Sequence, residues 1–242
     1  MKISLLWIAA GIGFPLFAQL PSSLTVSGKK GEETVAVRNV SFEIAGGLAI
    51  RKTEQTRQVL NEKGMEASTF VEAWPLAADR KGAPVYTVKA DGVDARTLNS
   101  AFLTIRRGLE DVEWWSVYRL ADGKPLFDTY VPLAKSQDGA LYAGLDVPAD
   151  GDPRLKDPGL IGMFQLVTVE GAVRRLALRA GDAKRAQLLR SYWDVRRTLT
   201  FDDAKQAFVL TIRDANPDVV IEIPQQGVPK VPAGIRCDIL AR

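Results

Sequence analysis

Apolar and polar residues alternate with a period of two along most of this chain. That spacing belongs to strands that are wet on one face and buried on the other. Gly, Asp and Pro clusters punctuate the alternation at short intervals. Ser23–Val26 and Glu33–Val37 flank Gly28-Lys29-Lys30-Gly31, and Val40–Ile44 and Leu48–Ile50 flank Gly46-Gly47. The first pair reads as a hairpin, and Gly46-Gly47 marks a turn or a bulge. Phe70–Trp74 and Val85–Val88 are further strands, connected through Asp79–Pro84. The sharpest signal is Val112–Leu120 followed by Pro125–Leu133 across Ala121-Asp122-Gly123-Lys124. Glycine supplies the positive φ that such a tight turn needs. Gln137-Asp138-Gly139 leads into Ala140–Val147. Leu160–Val169 and Ala172–Leu178 pair across Glu170-Gly171, and Leu160–Val169 is apolar on both phases. A strand of that kind is covered on both faces. Leu199 and Phe201, then Phe208, Leu210 and Ile212, alternate inward around a turn at 202–205, and Val219–Ile223 adds a last alternating strand.

Two segments depart from this period. Asp94–Leu103 predicts a short helix, with Asp94 as N-cap and Leu98, Phe102 and Ile105 on one face. Asp182–Leu189 predicts another, capped by Asp182, with Ala183, Ala186 and Leu189 on one side. Residues 53–63 fit either an exposed helix or a solvent-facing strand pair turning at Glu62-Lys63-Gly64. Ala149–Gly159, rich in proline and glycine, reads as a surface loop, and 148–159 is the candidate sub-boundary. After Pro224 the tail is expected to be extended and peripheral. About a dozen short strands with regular turns predict a mainly β fold. An antiparallel sandwich or barrel-like arrangement with one or two short covering helices follows, and an α+β sheet is the alternative.

The N-terminus carries a different pattern. Lys2 precedes a run that is almost wholly apolar from Ile3 to Phe14, Pro15 breaks it, and the small Ala18 occupies a cleavage position. This is the layout of a secretory signal peptide. The run is shorter than the roughly 20 residues a membrane span needs. Residues 1–18 are therefore read as a signal peptide and 19–242 as a single exported β-rich domain, periplasmic or extracellular. No later segment approaches the length of a span, so no transmembrane segment is expected after cleavage.

Composition changes this picture by exclusion. With 46% hydrophobic and 25% charged residues, the 242-residue chain has ordinary globular values. Net charge is +3, and basic residues run no longer than pairs such as Arg106-Arg107 and Arg196-Arg197. No basic stripe for nucleic acid results. The chain contains no histidine. That removes Ser-His-Asp and Cys-His nucleophilic machinery and His-ligated zinc. Cys237 is the single cysteine, has no intramolecular partner, and reads as a small buried hydrophobe in a terminal strand. Gly-rich phosphate cradles are absent, so no cofactor is assigned.

The remaining candidate chemistry is carboxylate plus aromatic. Glu110, Asp111 and Glu113 adjoin Trp114 and Trp115, and Glu72 lies two residues before Trp74. Two carboxylates can process a glycosidic bond without histidine, and tryptophan faces stack on sugar rings. Trp74, Glu72, Glu113 and Trp115 are thus the candidate ligand-binding residues of a carbohydrate-binding or glycoside-processing protein. The plainer account places these tryptophans in the core. Asp146, Asp150, Asp152 and Asp157 crowd one loop, but their spacing departs from a calcium loop and Arg154 and Lys156 compete as counter-ions. No metal site is assigned. Ser136 beside Lys135 does not make a dyad, since adjacent side chains diverge on a strand. By elimination the chain reads as an exported, non-catalytic, β-rich interaction or envelope-associated protein with no assigned catalytic residue. Its partner is an unidentified protein or glycan, and the carbohydrate reading is the alternative.

Overall fold

A computed structural model describes residues 24–27, 33–59, 65–76, 83–109, 112–149 and 151–240. Residues 1–18, read as a signal peptide, the turns expected at 28–31 and 62–64, Glu110, Asp111 and Asp150 lie outside the described residues.

The protein is mainly β, with four antiparallel sheets and one α-helix among the described residues. The first sheet is a meander of β1 (Leu24–Ser27), β2 (Glu33–Ala45), β3 (Leu48–Val59), β4 (Met65–Pro75) and β5 (Tyr86–Asp91). The second continues with β6 (Val93–Leu98), β7 (Phe102–Leu109), β8 (Val112–Arg119) and β9 (Pro125–Thr129). The third holds β10 (Ala134–Lys135), β11 (Leu141–Asp146), β12 (Leu160–Thr168) and β13 (Val173–Ala180). Helix α1 (Ala183–Arg190) follows, then the fourth sheet of β14 (Arg196–Asp202), β15 (Ala207–Arg213) and β16 (Val219–Pro224). The chain then returns to the third sheet, where β17 (Ile235–Ile239) pairs with β13. No helix of the described residues is long and apolar enough to cross a membrane.

Strand alternation stacks these sheets. Ile50, Val71, Ala73, Val88 and Ala90 from the first sheet pack against Leu103, Ile105 and Leu120 of the second. The other face of the second sheet sends Phe102 and Val117 onto Tyr142 and Val167 of the third. The side chains of Phe127 and Thr129 lie directly on the Gly144 backbone here, where a Cβ would stand 2.9 Å from both Phe127 Cε2 and Thr129 Oγ1. The opposite face of the third sheet carries Leu145, Phe164, Leu166, Leu176 and Leu178. These meet Ala186 and Leu189 of α1 and Phe208, Leu210, Ile212 and Ile221 of the fourth sheet. The second and third sheets are thus covered on both faces. Central β12 is buried from Leu160 through Val167, as its unbroken apolar sequence predicts.

Three segments differ from their sequence reading. Asp94–Leu103 is not a helix. Its residues form β6, a turn through Asn99 and Ser100, and the start of β7, with Leu98 paired to Phe102. Phe102 faces the third sheet and Ile105 the first, so they do not share a face. Asp94 lies at a register shift with φ of 58°, and its N–H donates to Glu54 Oε1 at 2.8 Å. The tail is not wholly peripheral, since β17 completes an edge of the third sheet and buries Ile235. Residues 53–59 are strand, the continuation of β3. The helix at 183–190 forms as read, with Asp182 accepting from the Arg185 N–H at 2.7 Å; Ala186 and Leu189 are buried, whereas Ala183 is exposed. The loop 148–159 joins β11 to β12, adjacent strands of one sheet, through a 3₁₀ turn at Pro153–Lys156.

Candidate functional site

The outer face of the first sheet is the most distinctive surface. Because Ile50, Val71, Ala73 and Val88 point into the core, the residues between them must point out. The strand register lines these outward residues into rows: Phe42, Arg51, Glu72 and Thr87 in one; Ile44, Ala49 and Trp74 in a second; Val40, Thr53, Phe70 and Lys89 in a third. Phe42 is 49% exposed and Ile44 64% exposed. Leu76 and Val85 extend the apolar surface beside the Gly46-Gly47 turn, where the Leu76 N–H donates to the Gly47 carbonyl at 2.9 Å. Two cations lie over the rings. The Arg51 guanidinium is 5.4 Å from the Trp74 centroid, and Lys89 Nζ is 5.6 Å from that of Phe70. Arg51 also donates from Nε to Glu72 Oε2 at 2.7 Å. The result is an aromatic, amphipathic face, with Phe42 and Ile44 on a stretch of β2 that pairs with β3 alone and Phe70 and Trp74 on β4.

The four sequence candidates separate into two pairs. Trp74 and Glu72 stand together on this outer face. Glu113 and Trp115 lie on β8, on the face of the second sheet turned toward the third. The stacked first and second sheets therefore stand between the two carboxylates. Each carboxylate accepts from an arginine on a neighbouring strand, Glu72 from Arg51 and Glu113 from Arg106 at 2.6 Å. Cross-strand pairs of this kind support the sheet.

Trp114 has a different role from its neighbour. It points to the opposite face and stacks on Tyr130 at 6.0 Å, and Tyr130 meets Tyr192 at 5.1 Å. Arginines close both ends of this ladder, Arg107 over Trp114 and Arg197 over Tyr192. Arg197 Nη2 donates to the carbonyls of Leu189 and Ser191 at 2.7 and 2.9 Å, at the end of α1 where helix carbonyls lack partners. Burial pushes its pKa down to about 10.

The acidic loop is held by arginines. Arg154 donates to Asp146 at 2.5 Å and to Asp152 at 2.6 Å, while Arg179 takes Asp157 at 2.6 Å. Burial raises the Asp146 pKa, and Arg154 opposes the shift. Among the described residues no group of carboxylates or thiols converges on a metal position. Ser136 is buried in a turn, donating to Asp138 Oδ1 at 2.6 Å and accepting from the Leu141 N–H at 3.0 Å. Cys237 is half-buried on β17, and burial, aided by Asp238, pushes its thiol up to about 11. Such a thiol is a poor nucleophile at neutral pH.

Sequence reasoning did not select Phe42, Ile44 or Phe70. Their alternation was visible, but nothing local says that their sheet is an outermost layer. Comparison with protein-family models, with curated proteins and with solved structures finds no match for this chain.

Proposed function

We propose that this protein is an exported, non-catalytic binding module that engages its partner through the outer face of the first sheet. One observation carries the reading: Phe42, Ile44, Phe70 and Trp74 sit on one sheet face, with Phe42 and Ile44 largely exposed to solvent. Exposing apolar surface costs about 25 cal/mol per Å², and contiguous patches of it mark interaction sites. Aromatic and arginine side chains are also those that anchor interfaces. The sheet holds them in place before binding, so little ordering entropy is lost on contact. The chain's lack of histidine and the arginine partners of Glu72 and Glu113 support a non-catalytic role. Export rests on the N-terminal pattern of residues 1–18.

The test is photo-crosslinking in the extracytoplasmic fraction of the native cells. A photoreactive residue at Ile44 or Phe42 is expected to give defined adducts that diminish when Trp74→Ala is added. The same residue at Val220, exposed on the fourth sheet, serves as the reference position. Equal labelling from both sheets would overturn the assignment.

A further inference from the structure

Trp193 follows the C-terminus of α1 by three residues. It is 70% exposed, on the rim of a concavity of about 420 Å³ at the C-terminal end of α1. Small-ligand sites begin at volumes of roughly this size. Lys184, Gln187, Leu188 and Ser191 line the concavity from the helix, at the spacing that places side chains along one helical face. Trp193 and Asp194 close it from the following turn.

The backbone that carries the ring is held by its neighbours. Ser191 Oγ accepts from the N–H groups of Trp193 at 3.3 Å and Asp194 at 3.1 Å, and its hydroxyl donates to Asp194 Oδ2 at 2.8 Å. Tyr192 is anchored inward, its hydroxyl donating to the Val147 carbonyl at 3.0 Å and its ring against Tyr130. The turn is therefore fixed on both sides of Trp193, and the indole is presented without a loop to order on binding.

The charge around it is also selective. Helix α1 carries Lys184, Arg185 and Arg190 and no carboxylate, and the carboxylate that lines the concavity, Asp194, accepts from the Ser191 hydroxyl. Arg185 donates to the carbonyls of Ala215 and Pro217, and Arg190 to that of Leu160. Lys184 is the cation of the three without a partner among the described residues. One broad exposed ring, with Leu188 and Pro148 beside it and the Gln187 amide, Ser191 hydroxyl, Asp194 carboxylate and Lys184 ammonium around it, does not suit a hydrophobic partner, which needs a continuous apolar patch. It suits a ligand with one C–H face and many hydroxyls.

We propose that this concavity binds a saccharide bearing an acidic group, its ring face stacked on Trp193 and its anion at Lys184. The site is distinct from the outer face of the first sheet and does not depend on it.

The experiment is calorimetric titration of the full exported chain with trigalacturonate, a sulfated heparin tetrasaccharide, and neutral cellotriose. At least one acidic saccharide is expected to bind more tightly than cellotriose. Trp193→Ala should weaken that binding about five- to tenfold, the scale of an aromatic stacking contact. Lys184→Gln should reduce the preference for the acidic ligand and flatten its dependence on salt. Both side chains are exposed, so the thermal midpoint should stay constant and any loss reads as binding. Trp74→Ala should leave saccharide binding unchanged. Failure of both acidic saccharides to bind, full binding by Trp193→Ala, or loss of binding in Trp74→Ala would each overturn the proposal. So would equal binding of cellotriose together with no effect of Lys184→Gln.

Discussion

Gly123 joins the first and second sheets by having no side chain. Its φ is +68°, and a Cβ there would stand 2.5 Å from Cδ2 of Tyr86. Tyr86 reaches from β5 across the β8–β9 turn and donates its hydroxyl to the Leu120 carbonyl at 2.6 Å. A substitution at Gly123 therefore meets backbone strain and a ring held from behind. Gly123→Ala is expected to destabilise by about 1–3 kcal/mol, with Gly123→Val worse because branching at Cβ leaves the ring less room. Tyr86→Phe keeps the ring and removes one hydrogen bond, so about 1 kcal/mol is expected. Urea midpoints of the three variants check this; unchanged values would mean that Tyr86 does not brace the turn. The sequence identified the turn from Asp122-Gly123. The tyrosine lies 37 residues away, and no local pattern points to it.

At the scale of elements, α1 is short, and its first turn depends on Asp182, whose carboxylate accepts from the Arg185 N–H. An eight-residue helix is marginal on its own. Asp182→Ala should cost about 1 kcal/mol, and Asp182→Asn should restore most of it, because the amide oxygen accepts the same bond. Thermal unfolding of the two variants separates lost capping from lost charge, and equal destabilisation by both would assign the effect to charge alone. The helix was legible because cap, period and length agree within one segment. Asp94–Leu103 was misread for a related reason. Leu98, Phe102 and Ile105 have helical spacing, but the turn at Asn99 and Ser100, with φ of 46° and 55°, resets the phase between two strands. A periodicity measured across a turn mixes two faces into one.

At the scale of the molecule, the stacked sheets shift every tyrosine in the same direction. All five have raised pKa values, with burial the largest cause, and Tyr86 reaches about 12. The folded state therefore favours the neutral phenol over the unfolded value of 10.0. That contribution is fully present below pH 10 and is lost as pH rises through the folded values. The half-buried thiol of Cys237 acts in the same direction, from 9.0 toward about 11. Tyrosinate absorbance in an alkaline titration should stay low past pH 10 and then rise together with loss of near-ultraviolet circular dichroism. Independent titration of the phenols near 10 with the fold intact would contradict the burial described here.

The division between sequence and tertiary structure follows the range of the forces involved. Alternation and turn chemistry act over a few residues. They were enough to place the β8–β9, β12–β13 and β14–β15 hairpins, the helix after Asp182, and the doubly covered strand at 160–168. The absence of histidine is likewise a property of the chain alone. Alternation says that a strand has two unlike faces, but not which layer will cover either one. Only the stacking of the four sheets left Trp74 on an outer face, turned Trp114 into a ladder of rings, and set Glu72 and Glu113 on different layers. Only the packing of Tyr192 beneath α1 turned Trp193 outward. The return of β17 to β13 joins residues 176–180 to 235–239. A pairing over that distance is decided by the completed sheet edge that receives it, after the local signals have been spent.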